Sequence, residues 1–270
     1  MKCRLATVDL AYDVSGASQH PTLLLVHGFP HDRALWVPQM HALSAAYQCV
    51  AVDLRGFGES SSAPPYSMDQ YADDLAALLD AIGVRRAVFA GISMGGYVAF
   101  AMWRRHAERV NGFLFVDTRA EADSDTVRAR RREWIARVQT HGVSDVSDTL
   151  VADQLGTTTR ARHPELEATV LAMARRMSDD GAIGALTAAM ARPDSRDTLG
   201  TITVPTMFVV GDEDTIAPRA ESEKMQARVP GSRLEVIRGA GHLTNLERPA
   251  AFNALVSEWA ATACDTAPAP

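Results

Sequence analysis

No stretch of this chain stays apolar for the roughly 18 residues that a membrane-crossing helix requires. The opening Met1-Lys2-Cys3-Arg4-Leu5-Ala6-Thr7-Val8-Asp9 lacks the uninterrupted apolar segment of a secretory leader, so a cytoplasmic protein with no membrane role is expected. An excess of positive charge is also missing: 27 Lys and Arg face 33 Asp and Glu, for a formal net charge of -6 and a pI near 5.7. Nucleic acid and anionic membrane both demand a basic face, and neither is an expected partner. Lysine is confined to Lys2 and Lys224, a habit of composition that carries no functional reading. The three cysteines, Cys3, Cys49 and Cys264, are scattered without metal or redox spacing and read as reduced thiols. No His-Glu-x-x-His and no Gly-x-x-x-x-Gly-Lys-Ser/Thr occurs, and Gly56-Phe57-Gly58 lacks the third glycine of a dinucleotide fingerprint. Metal and nucleotide enzymes thereby lose their support. No repeat recurs at periods of about 20 to 50 residues, which removes solenoids and propellers.

What the chain does have is material for a core. Its 270 residues are 47% hydrophobic, enough for one large domain carrying an insertion. Residues 4–14 read as one or two strands. Leu23-Leu24-Leu25-Val26 and Cys49-Val50-Ala51-Val52-Asp53-Leu54 are short continuous apolar runs, the mark of strands buried on both faces. Helical spacing covers residues 35–47 and 67–82, the latter with Ser67 as N-cap and Gly83 as stop. Strands at 87–90 and 112–116 flank a helix over 94–106. From about residue 119 to 196 no convincing strand occurs, and four helical patterns follow at 126–140, 146–155, 164–177 and 180–191. The dense arginines there are matched by acids and read as a solvated helix surface. Strands return at 206–210 and 233–237, and a closing helix begins near Pro249. Strands with helical crossovers predict a parallel, doubly wound sheet. A helical insertion would lie over the carboxyl ends of its strands, where ligands bind.

Chemistry concentrates in Val88-Phe89-Ala90-Gly91-Ile92-Ser93-Met94-Gly95-Gly96-Tyr97. A strand that turns at once into a helix forces its tip residue into a strained conformation, and only small neighbours let the two elements close up. Gly91 and Gly95 supply that room, Ser93 stands exposed as the candidate nucleophile, and the Met94 N–H points into the same space from the first helical turn. A serine hydroxyl needs a base, and histidine suits because it titrates near neutrality. Of the eight histidines, His242 alone follows a late strand inside a glycine-rich loop. The base needs a carboxylate to fix its tautomer. Asp214 is the choice, with Asp117 and Asp212 as rivals. The order Ser93, Asp214, His242 suits acyl transfer at such an elbow. An oxyanion hole requires two aimed donors. One is the Met94 N–H. In His27-Gly28-Phe29-Pro30 the proline has no N–H, which leaves Phe29 as the second, with Gly28 the lesser candidate.

On these residues the chain resembles the α/β-hydrolase superfamily over nearly its whole length. The segments are His27-Gly28-Phe29-Pro30, Asp53-Leu54-Arg55-Gly56-Phe57-Gly58-Glu59-Ser60, Gly91-Ile92-Ser93-Met94-Gly95-Gly96, Gly211-Asp212-Glu213-Asp214 and Gly239-Ala240-Gly241-His242. Within it, the chain resembles small capped serine esterases, cofactor-free perhydrolases and enol-lactonases. The resemblance implies an α/β fold with a mostly parallel eight-stranded sheet flanked by helices, and an all-helical cap inserted after strand 6, with no cofactor and no metal. The expected division is a core over 1–118 and 198–264, a cap over 119–197 and a flexible tail over 265–270. Haloalkane dehalogenases and epoxide hydrolases of this fold use an aspartate nucleophile, so Ser93 argues against both. The implied activity is serine hydrolysis of a small to medium apolar ester or lactone. The same residues would serve a perhydrolase, an acyltransferase or a C–C bond hydrolase, whereas a ligand-binding receptor would not need all of them. Asp53 and Arg55 read as structural ion-pair or loop-holding residues. His31, Trp36, Trp134, Met177 and Met190 are the candidate pocket residues, and Phe29 is expected to line the pocket floor. Monomer and homodimer both remain open.

Overall fold

The computed structural model describes residues 1–265. The loose tail expected over 265–270 therefore falls outside the described residues, apart from Asp265, which ends a helix instead. Eight strands among the described residues form one sheet: β1 (Lys2–Arg4), β2 (Asp9–Ser15), β3 (Thr22–Val26), β4 (Gln48–Val52), β5 (Ala87–Ile92), β6 (Val110–Val116), β7 (Thr206–Gly211) and β8 (Arg233–Ile237). Their order is β1-β2-β4-β3-β5-β6-β7-β8, antiparallel at β1/β2 and β2/β4 and parallel from β4 onward. The parallel, doubly wound sheet expected from the sequence is present. β3, β5 and β7 are buried along their whole length, because helices cover both faces of a parallel sheet.

Alternate residues feed the two faces. Leu24, Val26, Phe89, Phe113 and Phe115 pack with Leu75 and Leu79 of α2 (Met68–Ala81) and Val98 and Phe100 of α3 (Met94–His106). Leu23, Leu25, Val88, Ala90 and Leu114 pack with Met40 and Leu43 of α1 (Val37–Leu43) and, from α12 (Pro249–Asp265), Phe252, Val256 and Trp259. α2 begins as its sequence says: the Ser67 hydroxyl accepts the Gln70 N–H at 2.9 Å. The helix expected over 35–47 is shorter, a 3₁₀ turn over Arg33–Trp36 and then α1.

Between β6 and β7 lie six helices among the described residues rather than four: α4 (Asp125–His141), α5 (Val143–Val151), α6 (Thr157–Arg162), α7 (Glu165–Ala174), α8 (Asp179–Ala191) and α9 (Arg196–Leu199). α4 packs along α8, and α5 along α7. α5 starts three residues earlier than its apolar spacing suggests, because the Val143 N–H is capped across space by Asp179 Oδ1 at 2.6 Å. It also stops earlier, since the chain at Gln154 turns back toward the sheet. α6, with three threonines at its start, has no sequence signal.

β7 is followed by α10 (Arg219–Gln226), and β8 leads through the His242 loop and α11 (Thr244–Glu247) into α12. Segment 154–158 is fastened to that loop. Gln154 O accepts the His242 N–H at 2.9 Å, the Gly156 N–H donates to Glu247 Oε2 at 2.9 Å, and the Thr158 N–H donates to Glu213 Oε2 at 2.8 Å. Asp53 and Arg55 do hold structure, each with its own partner: Asp53 pairs with Arg33, and Arg55 with buried Asp74 at 2.6 Å.

Candidate active site

At the end of β5 the backbone reaches φ 52°, ψ -113° at Ser93 before α3 begins. Among the described residues only Ser93 and Asp117 are non-glycine positions with positive φ, a conformation that survives only where surroundings over-determine it. They do so here. The Ser93 N–H donates to Val116 O at 2.9 Å, and Ser93 O accepts from the Gly96 N–H at 2.9 Å and the Thr118 hydroxyl at 2.7 Å. A Cβ at Gly91 would run into the Gly95 carbonyl, and one at Gly95 into the Val26 carbonyl. Strand, helix and β3 thus meet at backbone-to-backbone distance, and this pushes the Ser93 side chain out above the sheet.

His242 Nε2 lies 2.8 Å from Ser93 Oγ, and His242 Nδ1 lies 2.8 Å from Asp214 Oδ2. An ionised carboxylate only accepts, so Nδ1 carries the hydrogen and Nε2 is left to accept the Ser93 proton. Asp214 is fixed in turn: its Oδ1 accepts the N–H groups of Ile216 and Ala217 at 2.8 and 2.9 Å. Burial works against a charged His242, yet the charge and hydrogen bond of Asp214, with Asp117 beyond, hold it above its ordinary value of 6.5 against the opposing charge of Arg119. Burial likewise works against the Asp214 carboxylate, and His242 with the two backbone N–H groups brings it below the ordinary range.

The two rival carboxylates bond elsewhere. Asp117, at φ 44°, accepts the Gly211 N–H at 3.0 Å on one oxygen, and on the other the Thr244 N–H and hydroxyl at 3.1 and 2.7 Å. Burial first, then the charge of Asp214, pushes it up to about 7. Asp117 ties the ends of β6 and β7 to the His242 loop. Asp212 accepts the Gly239 N–H at 2.6 Å. Glu247, which carried no signal in the sequence, is buried and accepts the Gly241 and Leu243 N–H groups at 2.9 and 3.1 Å, framing the same loop.

Ser93 and His242 open onto a cavity of about 300 Å³, with Phe29 and Met94 beside them and Trp134 of α4 in its wall. The backbone N–H groups of Phe29 and Met94 make no hydrogen bond to any described residue. The other four candidate pocket residues lie elsewhere. Trp36 is fully buried and packs on Phe252, ring centroids 6.2 Å apart. His31 is buried behind the wall with Nε2 on Gln154 Oε1 at 2.6 Å, and burial, with the neighbouring His27, lowers it to about 3. Met177 is core, and Met190 lines a separate surface hollow with Arg128 and Arg132. Apolar spacing on a helix marks an inward face but does not say whether a cavity or a neighbouring helix meets it.

The wall instead includes Tyr97, Gln154, Arg119, Arg130 and Arg131. This corrects the reading of a solvated surface for Arg119 and Arg131, which are half-buried against the cavity; Arg130 and Arg132 are exposed, and Arg128 is half-buried with its Nε shielded from solvent. Arg192 is buried, 4.0 Å above the Tyr97 ring and 2.6 Å from Asp123. Arg119 had one usable signal: it follows the carboxyl end of β6, where ligands meet parallel sheets. Gln154 had none. Among the described residues no three His, Cys, Asp or Glu side chains are grouped as metal ligands would be, and no helix is long and apolar enough to cross a membrane.

A family model described as the alpha/beta hydrolase fold matches residues 21–249. The 3-oxoadipate enol-lactonase 1 of Acinetobacter baylyi is 28% identical over 249 residues, 90% of this chain and 90% of that protein. Of solved structures, a thermophilic esterase from Thermogutta terrifontis matches at TM-score 0.93 and 34% identity over 97% of this chain and 99% of that one. The enol-lactonase from Burkholderia xenovorans LB400 matches at TM-score 0.90 and 26% identity, covering 97% and 100%.

Proposed function

The chain belongs to the α/β-hydrolase family and is a hydrolase, and from that premise we propose that it cleaves a carboxylic ester or lactone through an acyl-enzyme. Ser93 is the nucleophile, His242 the base and Asp214 the acid. The observation that carries this reading is the unbroken chain from Ser93 Oγ through the imidazole to Asp214, two contacts of 2.8 Å each. Relatives named esterase and enol-lactonase support the bond type.

As Ser93 Oγ attacks the carbonyl carbon, its proton passes to His242 Nε2, and the carbonyl oxygen takes the charge between the Phe29 and Met94 N–H groups. Collapse breaks the acyl C–O bond, and the departing oxygen takes the proton from His242. Water then repeats the sequence and frees Ser93. The N-terminus of α3 adds its partial positive charge at the developing oxyanion.

A fluorophosphonate probe should label Ser93, and p-nitrophenyl acetate should turn over. Ser93→Ala should lose labelling and roughly 10⁴- to 10⁶-fold in kcat. A Ser93→Ala enzyme that keeps a tenth of the wild-type rate would end the proposal.

A further inference from the structure

Three arginines line the cavity that holds Ser93, Arg119 and Arg131 half-buried and Arg130 exposed, and they are not equivalent. Arg131 is paired, its Nε 2.7 Å from Asp123, a carboxylate it shares with Arg192, which sits 2.6 Å from the other oxygen. Arg130 lies over the Trp134 ring, 5.1 Å from its centroid. Arg119 has no hydrogen bond or ion pair with any described residue, although it lines the same space as Ser93 and His242. Asp153, the remaining carboxylate of the wall, is exposed and pairs with neither free guanidinium.

An unpaired cation in this position works against the hydrolase. Its charge opposes the imidazolium of His242, the form that appears when Ser93 gives up its proton. No described residue pairs with Arg119, which leaves its half-buried guanidinium open to an anion entering the cavity. A guanidinium is built to take a carboxylate in a two-pronged, charge-assisted hydrogen bond.

We propose that Arg119, assisted by Arg130, receives a free carboxylate on the substrate, so that the preferred esters or lactones are those of an acid bearing a second, ionised carboxyl group. This rests on the hydrolase reading and narrows it. Where the sequence led to an apolar ester, the cavity wall favours an acidic one. A cavity of about 300 Å³ stands at the small end of ligand sites, which suits a short dicarboxylic chain.

The proposal couples recognition to chemistry. The charged or titratable groups that act on His242 are Asp214, Asp117, Arg119 and the neighbouring His31. Of these, Arg119 is the one that a bound anion would neutralise. With a carboxylate on Arg119 the imidazolium is opposed less, so His242 is more basic in the complex than in the free enzyme.

The test compares monoethyl succinate, glutarate and adipate with ethyl butyrate, pentanoate and hexanoate, in which a methyl group stands where the free carboxylate was. Wild type should favour the monoesters in kcat/KM, and Arg119→Met should cut the monoester-to-alkanoate ratio by roughly 10- to 100-fold, the size of a charge-assisted hydrogen bond. Arg119→Lys should recover part of the ratio. For wild type acting on the monoester, the rising limb of kcat should lie at higher pH than that of kcat/KM, and Arg119→Met should bring the two limbs together. Glutarate should slow fluorophosphonate labelling of Ser93 in wild type far more than in Arg119→Met. Turnover of the ethyl alkanoates with no preference for the monoesters, or a ratio unmoved by Arg119→Met, overturns the carboxylate site and leaves the hydrolase standing. Failure of both labelling and turnover overturns the hydrolase and this proposal with it.

Discussion

Replacing Asp214 by asparagine tests the assignment of roles, because the contacts of this carboxylate dictate what the amide must do. Oδ1 accepts the backbone N–H groups of Ile216 and Ala217, and Oδ2 accepts His242 Nδ1–H. An asparagine at position 214 keeps the two backbone bonds only with its oxygen in the Oδ1 place, which turns its NH₂ toward His242. Nδ1 must then accept, the ring proton moves to Nε2, and Nε2 donates to Ser93 instead of receiving its proton. Flipping the amide restores the productive tautomer but sets NH₂ against two backbone donors, losing two buried hydrogen bonds at about 1–3 kcal/mol each. At about 4 kcal/mol in total the productive form is populated roughly one time in 10³, and loss of imidazolium stabilisation carries the expected fall in kcat to about 10³- to 10⁴-fold. The assay is kcat on p-nitrophenyl acetate near pH 8, read beside the melting temperature. Asp117→Asn is the control: Asp117 bonds Gly211 and Thr244 rather than His242, so its loss should show in stability before tautomer. An Asp214→Asn enzyme with more than a tenth of the wild-type kcat, beside a folded but inactive Asp117→Asn, would refute the reasoning and pass the role to Asp117.

Three further outcomes are expected. His242 must be neutral to accept the Ser93 proton, and its raised value in the fold places the acid-side loss of kcat/KM on a neutral ester at a pH above the ordinary histidine value of 6.5; a limb centred well below 6 would contradict the Asp214 pairing. Gln154→Leu removes the acceptor for His31 at 2.6 Å and the donor to Phe29 O at 3.3 Å, leaving buried polar groups unpaired at a cost of about 1–3 kcal/mol; urea unfolding should show it, with kcat falling more than KM changes because the Phe29 loop loses its tie. Ser93→Gly should be at least as stable as Ser93→Ala and up to about 2 kcal/mol more so, since glycine relieves the strain at φ 52° and returns part of that gain as unfolded-state entropy; a glycine variant clearly weaker than the alanine one would show that the turn is not strained.

The elbow was legible in the sequence because its glycines are local, although Val116 and Thr118 hold its strained tip from the end of the next strand and just past it. Gly91 and Gly95 flank Ser93 at the spacing at which strand and helix backbones must touch, and Gly95 also leaves room for Val26 of β3. The strands were legible for a related reason: a strand covered on both faces is mostly apolar, so β3 and β4 read as apolar runs after their first residues. His242 and Asp214 were recoverable from chain order and strand ends. Which of Asp214, Asp117 and Asp212 faces His242 Nδ1 was decided in space, and it is Asp214.

The cavity wall is where the sequence fell silent. A helical period marks an inward face, and Met177, Met190 and Trp134 satisfy it equally, yet only Trp134 meets the cavity. Charge runs default to solvent, and Arg132 obeys that default while Arg119, Arg130 and Arg131 line the cavity that holds Ser93. Gln154 joins Phe29, His31 and His242 from 88 to 125 positions away along the chain, and no local pattern encodes such a meeting. Amino-acid order determined the sheet strands and the elbow, because these depend mainly on near neighbours, whereas α6 and the start of α5 escaped it. Which side chains surround the reacting atoms depended on how six helices pack over the sheet, and that packing is set by contacts between residues far apart in the chain.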